Sequence, residues 1–397
     1  MDLAVDPAVS AFRAEVRAWL TANLPAEPLP SVNTAAGFAR HRDWERQLAD
    51  ARLAVVSWPE RYGGRDASLG EWLVFEEEYH RAGAPVRVGQ NGLFLLAPTL
   101  FAHGTAEQLD RLLPPMARAV QVWAQAWSEP GAGSDLAAIR SSATRTDGGW
   151  LLSGAKTWSS RAAFADHAFG LFRSEPGAER HRGLTYLMFN LRAPGVTVRP
   201  IAQLDGEPGF AEIFLDGVFV PDADVIGAPG DGWRVAMSTA SHERGLSLRS
   251  PGRFLAAADR LVSLWQQSIA ADGPDGPGEV VGADAQGGSA VADRVVDAWI
   301  GARAYQLHTF GTVAALEAGG TLGAESSLGK VFWSELDVRI CETALDLLGP
   351  RAELLGQPGP DGDWAAAHLF SLAGPIYAGT NEIQRSVIAE RLLGLPR

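Results

Sequence analysis

The sequence is poor in cysteine, in positive charge and in long apolar runs, and each shortage excludes a class of protein. Cys341 is the single cysteine among 397 residues, so no internal disulfide or cysteine-based metal cluster can form, which fits a reducing compartment. The 34 basic side chains are outnumbered by 47 acidic ones, and no basic stripe is available for nucleic acid. No run of about 18 apolar residues occurs, and the start of the chain lacks the basic-then-apolar pattern of a secretion signal. We therefore expect a cytoplasmic protein that binds no metal, no nucleic acid and no membrane.

The spacing of apolar residues changes twice along the chain. It is helical from Val9 to about residue 121 and again after residue 232. Between these parts lie short apolar stretches separated by Gly and Asp, a pattern typical of β-strands, at residues 150–158, 168–173, 184–189, 196–201 and 211–220. We predict an α+β fold with three domains: an N-terminal helical domain (1–121), a central β-barrel or sandwich (122–231) and a C-terminal bundle of long antiparallel helices (232–397).

Local patterns add detail to this prediction. Asp147-Gly148-Gly149 and Asp216-Gly217 stand where tight hairpins need residues that tolerate positive φ, so neighbouring strands are expected to be antiparallel. The stretch 271–288 is rich in Gly, Asp and Pro, which predicts a loop between two helices. Two apolar stripes predict the buried faces of the later helices: Val291, Val295, Trp299, Ala302 and Tyr305, and then Leu328, Val331, Phe332, Leu336, Ile340 and Leu347.

A polar glycine loop at residues 125–135 (QAWSEPGAGSD) could hold a ligand. Its glycines let backbone N–H groups approach a ligand closely, and the hydroxyls of Ser128 and Ser134 suit carbonyl or phosphate oxygens. Without support from elsewhere such a loop is more often an ordinary turn. Downstream, Trp158 and Ser160 end a predicted strand. The indole could pack against a flat heteroaromatic ring and the hydroxyl could hydrogen-bond to it. A tryptophan at this position could equally belong to the core.

Three motifs in this order resemble the acyl-CoA dehydrogenase family. Residues 128–135 (SEPGAGSD) resemble the family's first signature, residues 154–158 (GAKTW) resemble its flavin-facing strand, and residues 376–385 (IYAGTNEIQR) resemble the segment that closes over the flavin. The resemblance spans nearly the whole chain, because helical, β and helical parts follow each other as in the family. It implies the family's fold, with a C-terminal four-helix bundle, and FAD as the cofactor.

The resemblance also implies roles for individual residues. The FAD contacts would come from Gln125, Trp127, Ser128, Ser134, Trp158, Ser160, Thr380 and Glu382. The substrate would be contacted by Ser134, Arg244 and Ala378, the last through its backbone N–H. Thr380 could at the same time cap the helix that follows it.

Dehydrogenation of an acyl thioester needs a carboxylate to take the weakly acidic α proton, with donors that stabilise the charge on the thioester oxygen. Many family members carry that glutamate where this chain has Ala378, which cannot accept a proton. A subset carries it in a Glu-Arg pair on an earlier helix, which Glu243-Arg244 resembles. Glu243 is therefore the predicted base, in preference to His242, which would point about 100° away on a helix.

Two departures from the family pattern concern subunit assembly. No Arg-x-x-Phe-Gly segment follows Arg244, and residues 346–350 (DLLGP) stand where many members have Gln-x-x-Gly-Gly. Those residues usually serve FAD across a subunit interface. Their loss therefore indicates either altered binding of FAD or an unequal subunit arrangement, as in the heteromeric bacterial sterol side-chain dehydrogenases that this chain also resembles. The implied partners are an acyl-CoA thioester, an electron-transfer flavoprotein as electron acceptor, and further subunits in a homo- or hetero-oligomer, either dimer or tetramer.

Three alternative functions remain open at this point. The acyl group could be presented on an acyl-carrier protein in place of CoA. The same fold could support a flavin-dependent oxygenase, which generally needs no carboxylate base. The chain could also be a non-catalytic partner subunit of a heteromeric dehydrogenase.

Overall fold

The computed structural model describes residues 7–244, 250–271, 287–320, 322–354 and 363–396. The chain forms two compact units. The first unit comprises Met1–Leu24, Leu69–Ala84 and Arg244–Arg397, and the second comprises Pro25–Ser68 and Pro85–Glu243. The domain boundaries at 121 and 231 remain a prediction.

Eleven α-helices and eight strands lie within the described residues. The helices are α1 (Pro7–Asn23), α2 (Ala35–Asp50), α3 (Leu69–Arg81), α4 (Ala97–His103), α5 (Ala106–Ala117), α6 (Gly232–Arg244), α7 (Pro251–Ala271), α8 (Gly287–Glu317), α9 (Ser326–Leu348), α10 (Trp364–Ser371) and α11 (Asn381–Val387). The strands are β1 (Trp123–Ala126), β2 (Ser142–Thr146), β3 (Gly149–Ser160), β4 (His167–Arg173), β5 (Leu184–Asn190), β6 (Val196–Ile201), β7 (Phe210–Pro221) and β8 (Val225–Ile226). These elements confirm the predicted α+β class.

The first unit is a helical bundle in which α7, α8 and α9 pack around one apolar core. Phe254 of α7, Tyr305 of α8 and Trp333 of α9 meet there, with ring centroids 5.6 and 5.9 Å from Phe254. Helix α3 packs on α7, and the close approach requires Gly252, because a Cβ there would lie 2.6 Å from the carbonyl oxygen of Glu76.

The predicted buried stripes of α8 and α9 are correct only in part. Leu336 and Ile340 are buried as expected, whereas Trp299, Leu328 and Phe332 are 41%, 44% and 36% exposed. The core-facing side chains at the corresponding turns are Ala298 on α8 and Trp333 on α9, one position away. Both helices carry apolar residues on more than one face, so their sequence pattern does not fix which face is buried.

The second unit is built on a sheet with the strand order β6-β7-β3-β2-β4-β5-β8, in which β1 also pairs with β4. Strands β3 to β7 confirm the five predicted strands. The sequence pattern missed β1, β2 and β8. Strand β2 is largely polar and half exposed, and β8 has two residues, so neither has an apolar alternation to detect.

Of the two predicted hairpins, one is confirmed and one is wrong. Asp147 and Gly148 join β2 to its antiparallel neighbour β3, and Gly148 has a φ of 70°. Asp216 and Gly217 lie inside β7, where the pairing with β3 shifts register opposite Ser153. The glycine with its φ of 62° therefore forms a β-bulge within one strand. Strand pairing is also not antiparallel throughout, because β1 and β2 each pair with β4 in parallel.

Two further features concern the helices. The predicted loop 271–288 falls mainly outside the described residues, and its flanks belong to α7, which ends at Ala271, and α8, which begins at Gly287. Among the described helices, none has the length and apolar character needed to cross a bilayer.

Candidate flavin site

The glycine loop leaves the end of β1 and presents an open backbone. Glu129 and Ala132 exchange two backbone hydrogen bonds of 3.0 Å, which fixes a tight turn. At Gly131 and Gly133, a Cβ atom would meet no other atom within 4 Å. The backbone at Gly131 and Gly133, and the exposed Ser134 beside them, are therefore open to approach by a ligand.

Strand β3 is joined to this loop by a backbone hydrogen bond. The N–H of Thr157 donates to the carbonyl oxygen of Ser128 over 2.8 Å. The next residue, Trp158, has a φ of 58°, which a bulky side chain rarely adopts. The β3–β7 pairing shifts register between Lys156 and Ser159. The chain thus brings Ser128 and Trp158 together in the second unit, at a point of local backbone strain, and such strain is common in functional sites.

The Trp158 indole is not part of the core. It is 59% exposed, and it contacts Phe210 edge to face with ring centroids 5.9 Å apart. The alternative assignment of Trp158 to the core is therefore excluded. An exposed, braced indole is suited to stack against a flat ring.

Two buried polar atoms next to the loop and the strand have no hydrogen-bond partner among the described residues. They are Nε2 of Gln125 and Oγ of Ser159. Leaving such a group unsatisfied costs about 1–3 kcal/mol, so a ligand with hydrogen-bonding atoms would be stabilised here. A flat, heteroatom-rich ring such as the flavin of FAD fits this set of residues. Ser160, at the end of β3, is half-buried and completes the set of predicted contacts in the second unit.

A buried ion pair supports both halves of the site, and sequence reasoning missed it. Nζ of Lys156 donates to Oε1 of Glu129 over 2.8 Å and to the carbonyl oxygen of Leu171 over 2.8 Å. Glu129 also accepts from the N–H groups of Arg140 and Ser141, at 2.6 and 2.9 Å. A lysine in the middle of a predicted strand was the signal in the sequence that such a partner exists.

The electrostatics of the pair follow from its burial. Burial lowers the pKa of Lys156 to about 8 from its ordinary 10.5, while the charge of Glu129 opposes that shift. Burial tends to raise the pKa of Glu129, but the Lys156 charge and the hydrogen bonds that Glu129 accepts hold it below its ordinary value.

The C-terminal motif lies in the first unit and is held by α9. Thr380 caps α11, since its Oγ1 accepts from the N–H of Ile383 over 3.3 Å, which confirms the capping role. Ala378 has a φ of 56°, and its carbonyl oxygen accepts from Nε2 of Gln384 over 2.8 Å. The buried Asn381 accepts from Nζ of Lys330 over 2.7 Å.

The other predicted residues of this motif and of the base helix have different surroundings. Glu382 is exposed in the first turn of α11, and hydrogen bonding to its own backbone N–H and to Thr380 lowers its pKa. Helix α6 ends at the pair Glu243 and Arg244. Their side chains lie outside the described part of the structure.

Models of three acyl-CoA dehydrogenase domains match this chain: the N-terminal domain at residues 6–119, the middle domain at 124–218 and the C-terminal domain at 230–393. The fold and the site thus define a flavoprotein oxidoreductase. The chain belongs to the acyl-CoA dehydrogenase family, whose cofactor is FAD. The family, the enzyme class and the cofactor predicted from the three motifs are thereby confirmed.

The chain is similar over its length to proteins of the same family. Acyl-CoA dehydrogenase IpdE1 of Mycobacterium tuberculosis (strain ATCC 25618 / H37Rv) is 40% identical over 403 residues, covering 98% of each chain. The crystal structure of the ChsE4-ChsE5 complex from Mycobacterium tuberculosis shares 27% identity at a TM-score of 0.83 and covers 100% of both chains. The structure of the Tcur3481-Tcur3483 steroid ACAD shares 26% identity at the same TM-score of 0.83, again over 100% of both chains.

Proposed function

We propose that this chain removes two hydrogens across the α and β carbons of an acyl-CoA thioester and so forms the 2-enoyl thioester. The observation that carries the proposal is the exposed Trp158, whose backbone is strained. A backbone hydrogen bond from the preceding residue, Thr157, to Ser128 joins it to the glycine loop. In a member of this family, that arrangement gives one wall and one polar edge for a flavin ring.

The chemistry needs a base and a donor from the chain. Glu243 takes the α proton as a carboxylate, since Ala378 cannot accept one. The backbone N–H of Ala378 donates to the thioester oxygen, where negative charge develops as the proton leaves. Bound FAD would supply the acceptor for the β hydrogen, which would leave as hydride. Arg244 and Ser134 position the thioester and its CoA.

The proposed flavin contacts come from three segments of the chain. They are Gln125, Trp127, Ser128 and Ser134 at the glycine loop, Trp158 and Ser160 on β3, and Thr380 and Glu382 in the C-terminal motif. Nε2 of Gln125 has no hydrogen-bond partner in the part of the chain that the structure describes. This supports its assignment, because a flavin offers acceptors that would satisfy it.

The proposed substrate is a steroid-derived acyl-CoA. A solved structure that is 26% identical over the whole chain is titled a steroid ACAD, and this supports a bulky, ring-containing acyl group over a short one.

The proposed setting is the cytoplasm, with an electron-transfer flavoprotein as electron acceptor. The proposed organisation is three domains, at 1–121, 122–231 and 232–397, in an oligomer.

An anaerobic titration with acyl-CoA thioesters tests this function. Short, branched, long and steroid-derived thioesters are added in turn to the purified FAD-bound protein, and the visible flavin spectrum is followed. We expect the steroid class to bleach the flavin at stoichiometric amounts. If a short thioester bleaches it and the steroid class does not, the substrate class is wrong. If no thioester bleaches bound FAD, dehydrogenation of CoA thioesters is contradicted, and acyl-carrier-protein substrates and oxygen chemistry are tested next.

A second candidate is one subunit of a heteromeric dehydrogenase. Two solved structures similar to this chain are titled as pairs of chains, ChsE4-ChsE5 and Tcur3481-Tcur3483, and residues 346–350 depart from the family pattern. The decisive measurement is FAD content of the chain purified alone and purified after co-expression with a second family chain. Flavin retained only in the co-expressed sample supports the heteromer, and full occupancy in the chain alone contradicts it.

A further inference from the structure

A line of buried hydroxyl groups runs from the glycine loop to helix α6. Nε1 of Trp127 lies 3.1 Å from the hydroxyl of Tyr186. That hydroxyl lies 3.2 Å from Oγ1 of Thr239, which lies 2.7 Å from Oγ1 of Thr99. The line ends at the carbonyl oxygen of Leu95, 2.7 Å from Thr99. Tyr186, Thr239 and Thr99 are fully buried, so no water competes for these hydrogen bonds.

Chemistry fixes the roles of the two ends of the line. The indole N–H of Trp127 can only donate, and the carbonyl oxygen of Leu95 can only accept. Each of the three hydroxyl groups between them can donate one hydrogen and can also accept, and the Thr239 hydroxyl also lies 3.2 Å from the carbonyl oxygen of Val235 within α6. Tyr186, Thr239 and Thr99 therefore belong to one buried network, whichever hydroxyl donates in each pair.

This line connects elements that are distant in sequence but belong to the same unit. Trp127 follows β1, Tyr186 lies in β5, Thr239 lies in α6 and Thr99 lies in α4. Leu95 belongs to the π-helical segment Gly92–Leu96, and single π-helical turns often mark functional sites. Residue 243 lies one turn beyond Thr239 on α6, at the i+4 position. The line thus fixes the rotation of α6 about its own axis relative to the glycine loop.

We propose that Tyr186 and Thr239 are positioning residues that couple the Trp127 loop to the helix that carries Glu243. This inference rests on the proposed function, in which Trp127 borders the flavin and Glu243 is the base. Small displacements between a base and a bound substrate reduce rates by up to about 100-fold. Loss of the line should therefore slow proton abstraction while the binding of flavin and substrate is retained.

The test uses Tyr186→Phe, which removes one hydroxyl and keeps the ring. Tyr62→Phe is the matched control, because the hydroxyl of Tyr62 donates to Oδ1 of Asp110 over 2.9 Å, at a separate place in the same unit. Hydrogen–deuterium exchange of the amides of residues 232–244 is measured in both variants. We expect faster exchange in Tyr186→Phe alone. Unchanged exchange in that variant overturns the coupling.

A second pair of variants keeps the test decisive if Tyr186→Phe fails to fold. Thr239→Ser keeps the hydroxyl and should behave as the wild type. Thr239→Val keeps the shape and loses the hydroxyl, and it should reproduce the faster exchange. In FAD-bound protein, Tyr186→Phe and Thr239→Val should lower the rate of flavin reduction about 10- to 100-fold, with a shifted pH profile and an unchanged KM. An equal loss of rate in Thr239→Ser and Thr239→Val contradicts a role for the hydroxyl.

The two hypotheses fail in different ways. If no thioester reduces the flavin of the wild type, the proposed function fails, while the exchange experiment still decides whether the line orders α6. If the wild type is reduced and the hydroxyl variants match it in rate, pH profile and exchange, the positioning role fails and the proposed function stands.

Discussion

Lys156 and Glu129 form a buried ion pair that ties strand β3 to the glycine loop. Their atoms Nζ and Oε1 are 2.8 Å apart, and the side chains are 0% and 8% exposed. Lys156 also lies over the ring of Phe172, 4.7 Å from its centroid. Glu129 directly follows Ser128 in the loop, and Lys156 stands two residues before Trp158 in β3. The pair therefore ties together the two segments that carry these predicted flavin contacts.

Removing one member of this pair should lower the free energy of unfolding far more than removing both. Lys156→Met leaves the Glu129 charge buried without a partner, which should lower the free energy of unfolding by about 3–5 kcal/mol. Adding Glu129→Gln to Lys156→Met should recover part of that loss. Urea unfolding of the wild type, both single variants and the double variant measures the coupling. Losses that simply add would contradict an interacting pair.

The same pair predicts an acid sensitivity. The folded-state pKa of Glu129 lies below its ordinary 4.5, so its contribution to stability is present above about pH 4.5 and is lost as the pH falls through the folded value. In that window the wild type should lose up to about 1.4 kcal/mol per pH unit through this group. Glu129→Gln should lack this component. An identical slope in both proteins, measured by unfolding at a series of pH values, would remove Glu129 from the acid response.

Trp158→Ala should weaken flavin binding much more than folding, because the indole is largely exposed. The buried Trp44 is the matched control, and Trp44→Ala should lower the free energy of unfolding by about 3–5 kcal/mol. FAD occupancy and the thermal midpoint of the FAD-free protein are measured for both. Full FAD occupancy in Trp158→Ala would show that the indole does not contact the flavin.

Ala378→Gly should stabilise the chain. The left-handed φ of 56° at Ala378 costs an L-residue about 1–2 kcal/mol, and glycine removes this cost. Glycine also loses more conformational entropy on folding than alanine does, which offsets about 0.5–1 kcal/mol of the gain. The net gain in the free energy of unfolding should lie between zero and about 1.5 kcal/mol. Ala314→Gly, at an exposed position inside α8, should instead lose about 1 kcal/mol. A loss at both positions would show that the strain at Ala378 is not relieved by glycine.

Glu243→Gln should retain FAD and lose proton abstraction. An amide of the same size cannot accept the α proton, so flavin reduction by a substrate thioester should fall at least about 100-fold. Glu342→Gln, an exposed substitution on α9, is the control. Stopped-flow absorbance under anaerobic conditions measures both rates. Near-normal reduction in Glu243→Gln would exclude it as the base.

The sequence predicted those parts of the fold in which one apolar face dominates. Strands β3 to β7 alternate or run apolar between glycine turns, and they form at the predicted places. Leu328 and Phe332 were assigned to the core and are exposed, because α9 is apolar on two faces and only its packing partners decide between them. The hairpin turn predicted at Gly217 is a β-bulge in the structure. A glycine with positive φ is compatible with either feature, and the pairing with the neighbouring strand determines which one forms.

In the site as well, contiguous motifs could be predicted from the sequence, whereas contacts between residues far apart in the chain could not. The motifs around Ser128 and Trp158 could be predicted because their residues are contiguous. Tyr186 could not, since a tyrosine in an apolar strand has the pattern of a core residue, and its partners Trp127 and Thr239 lie 59 and 53 positions away. The pairing of Lys156 with Glu129 across 27 positions is of the same kind.

The close contact of α3 with α7 at Gly252 has a consequence for how the chain is made. Ribosomes add about 5–20 residues per second, so α3 leaves the ribosome roughly 10 to 30 seconds before α7 exists. During that interval Arg13 of α1 can already pair with Glu77 and Glu78 of α3, but the surface of α3 that α7 will cover stays open to other chains. A nascent chain of this protein is therefore a candidate for chaperone binding, and fragments that stop short of α7 should aggregate.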